Sequence, residues 1–164
     1  MQPSCNQCAF RSDRPFCEMS PDAIRGFDDI KEQDVLSKGA ILFAEGGPSR
    51  GAYVLCEGRA RLSICSETGK RLMLRVAGPG EVLGLGASLS GDAYEVTAEL
   101  LDTAQVVFVR REELMKFLRD NPAVCMEVVR RLSDDLHCAY ERVRSIGLSH
   151  ARKVRIQRAR PLAS

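Results

Sequence analysis

The chain has 164 residues, 45% of them hydrophobic and 28% charged, enough for one ordinary domain with a real core. No apolar run approaches the roughly 18 residues that a membrane-spanning helix needs, and the polar N-terminus MQPSCNQC does not read as a secretory leader. A cytoplasmic protein with reduced thiols and no membrane partner is therefore expected, of net charge +2, divided into −3 on residues 1–149 and +5 on residues 150–164.

The chain opens on CNQCAFRSDRPFC, which places Cys5, Cys8 and Cys17 within thirteen residues. Seven cysteines are an odd set for a disulfide framework. Metal or redox chemistry suits the close trio better, and ordinary packing suits Cys56, Cys65, Cys125 and Cys138. Three readings of the trio stay open: an iron–sulfur or zinc site, a thiol redox switch, or no chemistry. Arg11, Arg14 and Lys31 nearby could lower thiol pKa values and favour either chemistry.

Ser20-Pro21-Asp22 follows. A serine N-cap with proline in the first turn starts a helix that is expected to end between Gly26 and Asp29. From residue 40 the apolar period becomes two. Ile41-Leu42-Phe43 is a short strand and residues 46–51, GGPSRG, are a turn. Tyr53 and Leu55, then Ala60, Leu62 and Ile64, alternate with polar neighbours across a turn at Glu57-Gly58. Leu72, Leu74 and Val76 resume the alternation after a turn at Thr68-Gly69-Lys70, and GPGE (78–81) breaks it. Val96, Ala98 and Leu100, then Val106 and Phe108, supply the last strands. Many short, glycine-punctuated strands predict a sandwich or barrel.

Residues 112–118 predict a short amphipathic helix, and Asn121-Pro122 starts a long one. Within it Cys125, Val129, Leu132, Leu136, Ala139, Val143 and Ile146 alternate in spacings of 4 and 3 residues. This is a heptad seam, flanked by Arg130, Asp134, Asp135, Glu141 and Arg142, and it predicts a parallel homodimer. A helix lying on its own barrel is the alternative. Gly147 is the expected C-terminal stop. The basic residues 150–164 suit either phosphate contact or a solvated end. The enzyme class with a small histidine-lined barrel is excluded, because His137 and His150 both lie at the helical end. No Ser/His/Asp set or P-loop is present, so no enzymatic activity is expected.

A glycine-punctuated barrel followed by a long dimerisation helix resembles the Crp/Fnr family of bacterial transcription regulators. The stretch KGAILFAEGGPSRGAYVLCEGRARLSICSETGKRLMLRVAGPGEVLGL (38–85) resembles the first strands of the family's cyclic-nucleotide-binding β-roll. DTAQVVFVRREELMKFLRDNPAVCMEVVRRLSDDL (102–136) resembles its last strand, short helix and dimer helix. The resemblance implies a mainly β plus α fold, a double-stranded β-helix of the jelly-roll or β-roll type followed by the dimerisation helix. The expected segments are a cysteine-containing one over 1–19, the β-roll over 20–120, the helix over 121–147 and a basic tail over 148–164. The family normally continues into a helix-turn-helix domain of roughly 70 residues. Residues 146–164 are too short for it, so either the chain is truncated, with a frameshift as one route, or the protein never bound DNA sequence-specifically; DNA is a partner only if that domain exists in the full-length protein.

The family's phosphate-binding cassette corresponds here to GEVLGLGASLSGDAYEVTA (80–98). Gly80 and Gly84 match its glycines, Glu81 follows the first, and Thr97-Ala98 close it. The ribose-binding carboxylate position is Leu85 and the phosphate-binding arginine position is Val96. A phosphate facing Val96 would lose a charge-assisted hydrogen bond worth about 1.5–3 kcal/mol. Tight cyclic AMP binding is therefore not expected, although Ser88, Thr97 and loop amides could hold something smaller or neutral. Oxygen-sensing members carry an iron–sulfur cluster on three N-terminal cysteines and one from the β-roll, a role that Cys5, Cys8 and Cys17 could share. The fourth position aligns near Val107, which is no ligand, so Cys56, Cys65 or another donor would have to substitute. The resemblance thus implies the sensor and dimerisation module of a regulator that responds to a redox, metal or small-molecule signal. A dimeric module with no sensing or DNA-binding role is the alternative.

Overall fold

The computed structural model describes Cys5 and residues 18–158, with side chains described as far as Leu148. The chain divides into two compact units, Met1–Glu127 and Val128–Ser164.

Helix α1 spans Pro21–Ile30, and Ser20 caps it by accepting from the Ala23 N–H at 3.2 Å. Its buried face is Ala23, Ile24 and Phe27. The Phe27 ring meets Phe117 of helix α3 (Arg111–Asp120), centroids 5.7 Å apart. Eight strands follow α1: β1 (Lys31–Leu36), β2 (Ile41–Phe43), β3 (Gly51–Leu55), β4 (Ala60–Cys65), β5 (Arg71–Ala77), β6 (Val82–Leu83), β7 (Thr97–Leu100) and β8 (Ala104–Arg110). They form two antiparallel four-stranded sheets, ordered β1-β8-β3-β6 and β2-β7-β4-β5. Leu42, Phe43, Leu55, Leu62, Leu83, Tyr94, Leu100 and Val106 make the core cluster. The β-roll expectation holds.

Three elements had no sequence signal. Strand β1, KEQDVL, is polar and buries only Lys31 completely; it becomes a strand by pairing with β8 from Lys31↔Val109 to Leu36↔Ala104. Strand β6 has two residues, and helix α2 (Leu85–Ser90) has six. The alternation read at Leu72, Leu74 and Val76 is also corrected. Ala77 is the buried residue of β5, while Leu72 is 55% exposed and Val76 is exposed too. The register shifts from Leu62↔Arg75 to Ser63↔Met73, so Leu74 is an extra residue on β5, and a bulge changes which side chains face in. Strand β8 departs from strict alternation, burying Val106, Val107 and Val109.

Gly51 shows how closely the first sheet is packed. A Cβ there would lie 2.1 Å from the Val109 carbonyl oxygen and 2.8 Å from the Phe108 ring. Gly51→Ala is expected to cost about 2–3 kcal/mol, as overpacked core substitutions do. Chemical denaturation checks this, with a midpoint shift at constant m-value as the expected result.

Gly147 does not stop the long helix. Helix α4 runs from Pro122 to Arg158, about 55 Å at 1.5 Å per residue. Gly147 is not among the glycines of positive φ, so it makes no left-handed C-terminal cap. The boundary expected at residue 147 therefore moves to Arg158. The basic residues from 149 onward lie outside the described side chains. On α4 Val129 and Leu136 are about half exposed and Val143 and Ile146 more than two-thirds exposed. Ala139 is exposed, and Cys125 and Leu132 are half-buried.

Candidate functional site

The cassette begins where β5 turns into β6. Gly80 takes φ +87° and its N–H donates to the Leu55 carbonyl at 2.7 Å. Glu81 closes this turn: one carboxylate oxygen accepts from the Gly78 N–H at 2.8 Å and the other from Arg75 at 2.5 Å. Glu81 is thus tied within the turn. Strand β6 then pairs with β3 and delivers Gly84 at φ +72°, the N-cap of α2.

Tyr94 decides what lies behind that glycine. Its ring stacks on Phe43 with centroids 4.2 Å apart, and a Cβ on Gly84 would sit 2.8 Å from it. Its hydroxyl donates to the Gly51 carbonyl at 2.6 Å and accepts from the Gly51 N–H at 3.4 Å. With 5% of its surface exposed, Tyr94 joins cassette, β2 and β3 into one packed unit. Tyr94 was not among the site residues expected from the sequence, where its signal was a lone aromatic residue between the acidic Asp92 and Glu95.

Leu85, at the ribose-carboxylate position, is buried, and Val96, at the arginine position, packs partly buried against the core cluster. The hydroxyls have protein partners. Ser88 is fully buried and donates to the Gly84 carbonyl at 2.7 Å, with the Ser49 hydroxyl 3.2 Å away. Thr97 Oγ1 accepts from the Glu45 N–H at 3.0 Å. Asp92 and Glu95 are exposed and do not face inward. On the second sheet Glu99 accepts from Arg61 at 2.7 Å and from Arg71 at 3.2 Å. The Arg61 hydrogen bond, aided by both positive charges, holds the Glu99 carboxyl below its usual range.

Of the cysteine trio, Cys5 is described; Cys8 and Cys17 lie outside the described residues. The Cys5 N–H donates to Asp28 Oδ1 at 3.0 Å, and Lys31 Nζ approaches Cys5 Sγ at 3.5 Å. Lys31 also pairs with Asp28 at 2.7 Å, and its side chain is only 3% exposed. Burial pushes the Cys5 thiol up to about 11, against the lowering effect of the Lys31 charge. The expected lowering by a nearby lysine is therefore present and outweighed, because desolvation penalises the thiolate more than Lys31 stabilises it. Burial alone would favour the neutral Lys31 amine, but its bonds to Asp28 and Cys5 outweigh this and raise its pKa.

A metal does not find its ligands among the described residues. No group of three His, Cys, Asp or Glu side chains comes together there. Val107, at the position of a fourth thiolate, is aliphatic and 1% exposed. Cys56 is half-buried and Cys65 exposed. No helix among the described residues is long and apolar enough to cross a membrane.

Residues 33–121 match the cyclic nucleotide-binding domain. The "Anaerobic regulatory protein" of Bacillus subtilis is 24% identical over 136 residues, 82% of this chain and 57% of that protein. Among solved structures, the catabolite activator protein of Thermus thermophilus superposes with a TM-score of 0.75 at 20% identity, over 84% of this chain and 65% of that one. The sensor domain of the transcriptional regulator DNR from Pseudomonas aeruginosa gives 0.66 at 20% identity, over 79% and 88% of the two chains. The chain spans little more than half the length of the curated regulators it matches. These homologues are regulatory proteins, and with the domain match covering more than half its length the chain belongs to the cyclic nucleotide-binding domain family, with Crp/Fnr-type regulators among its homologues.

Proposed function

We propose that the chain is the sensor and dimerisation module of a Crp/Fnr-type transcription regulator whose signal is read by thiol chemistry rather than by tight binding of cyclic AMP. One observation carries this reading. The two cassette positions that would hold a cyclic nucleotide's phosphate and ribose are Val96, packed against the apolar core cluster, and Leu85, a buried aliphatic side chain. An anion placed there would be desolvated without a charged partner. Cys5, by contrast, sits beside a lysine and a carboxylate of the same unit. In this reading α4 pairs with a second copy, and DNA is bound by a helix-turn-helix domain of the full-length protein.

Calorimetric titration with cyclic AMP and cyclic GMP tests the cassette. No saturable binding is expected up to about 100 µM, whereas a dissociation constant under about 10 µM, equivalent to about −7 kcal/mol, would overturn the reading. Iron and zinc analysis of anaerobically purified protein tests the thiol assignment. Metal at one equivalent per chain would replace thiol chemistry with a cluster or zinc site that includes residues beyond those described.

A further inference from the structure

We propose that Cys5 and Lys31 are the two ends of an oxidant-driven covalent bridge, Cys5 Sγ–O–Nζ Lys31, at the junction of α1 and β1. Three reactive groups meet there: a thiol, an amine and a carboxylate. Lys31 Nζ lies 3.5 Å from the sulfur and 2.7 Å from Asp28 Oδ1. The same carboxylate oxygen accepts from the Cys5 N–H at 3.0 Å, so backbone and side chain hold the sulfur and nitrogen together. The lysine side chain is almost entirely enclosed, which keeps Nζ from turning out to solvent. Cys5 is only half-buried, so a small oxidant can reach it.

The chemistry balances with two equivalents of hydrogen peroxide. Cys5 is a protonated thiol at rest; as its sulfur attacks the first peroxide, an S–O bond forms, O–O breaks, and the thiol proton passes to the departing hydroxide, leaving a sulfenic acid and one water. Asp28 accepts a proton from the lysine ammonium, freeing the nitrogen lone pair. The second peroxide takes two electrons and two protons, one from the sulfenic hydroxyl and one from the amine, and becomes two waters as the N–O bond forms. Lysine amine and cysteine thiol are thus converted, with two peroxides, to the N–O–S bridge and three waters. Each protein partner lies within van der Waals reach of the other before reaction, so the closure is intramolecular.

The bridge deepens the thiol-sensing reading above but needs neither Cys8 nor Cys17. Its consequence is mechanical, since it ties the N-terminal segment covalently to the first strand across a sequence separation of 26 residues. By the logic of any cross-link, the bridged form should melt about 5 °C or more above the reduced form.

The test treats the full chain, and its Cys8→Ser/Cys17→Ser double variant, with hydrogen peroxide, then digests and maps both by mass spectrometry. The expected product joins the Cys5 and Lys31 peptides with the mass of one oxygen less two hydrogens. It forms in both proteins, is reversed by dithiothreitol, and is absent in Lys31→Arg, which keeps the positive charge. Cys5 recovered as sulfinic acid without a link, or oxidised only to a disulfide with Cys8 or Cys17, overturns the bridge. Lys31→Gln guards against misfolding of the arginine variant, and a link to residue 31 in neither variant is the required result. The two readings fail separately. A bridge that forms while dimerisation and helix exchange stay unchanged defeats the sensing reading alone. An oxidation response carried by Cys8 and Cys17 without the bridge defeats the bridge alone.

Discussion

Replacing Tyr94 with alanine is expected to destabilise the β-roll by about 3–5 kcal/mol, the range for losing a large buried aromatic side chain. Two losses combine. The ring stacked on Phe43 leaves a cavity against Gly84, and the Gly51 carbonyl loses the hydroxyl that donates to it at 2.6 Å. For a chain of this length the melting temperature should fall by roughly 8–15 °C. Tyr94→Phe separates the two losses. It keeps the ring and should cost only about 1–2 kcal/mol, the share of an unpaired buried carbonyl. Thermal and urea denaturation of both variants checks the ranking. If Phe costs as much as Ala, the hydroxyl and not the stacked ring holds the cassette in place.

The second large effect is on assembly. Val143 and Ile146 are 69% and 68% exposed in the single chain, and they continue the stripe through Leu136 and Val129. The proposed dimer covers that stripe. Val143→Asp is then expected to weaken self-association at least about 100-fold, close to 3 kcal/mol, because a carboxylate at a seam position faces its own copy in a desolvated interface. Sedimentation equilibrium reads this directly, with a dimer at micromolar concentration before substitution and a monomer after it. The β-roll should keep its melting temperature in the monomeric variant. A chain that sediments as a monomer before any substitution defeats the seam reading and leaves the exposed stripe to another partner.

The heptad stripe was legible because its spacing is a property of a single helix. Every member from Cys125 to Ile146 follows from the period of 3.5, whatever the helix packs against. The glycine turns were legible for a similar local reason: Gly46, Gly58, Gly69 and Gly80 all take the positive φ that glycine permits at low cost. The helix end at Gly147 failed because a glycine stops a helix only when the backbone turns left-handed there, and nothing local compels it.

The cassette divides along the same line. That Leu85 and Val96 cannot supply a carboxylate or a guanidinium is a matter of residue type, which the sequence determined alone. That the space behind Gly84 is filled by Tyr94 on Phe43 depends on β2, β3 and the segment after α2 meeting in space. The pairing of Cys5 with Lys31 is of the same kind. Lys31 was named as a neighbour able to act on the thiols, but its enclosure, with the side chain only 3% exposed beside Asp28 and Cys5, belongs to the folded chain. Local chemistry, turn types and helical period are written in neighbouring residues, so the sequence by itself determined them. Strand β1, the bulge at Leu74, the closing of the cassette and the thiol–amine pair were decided only by the tertiary structure, because each exists through contact between residues distant in the chain, whose energy no local pattern encodes.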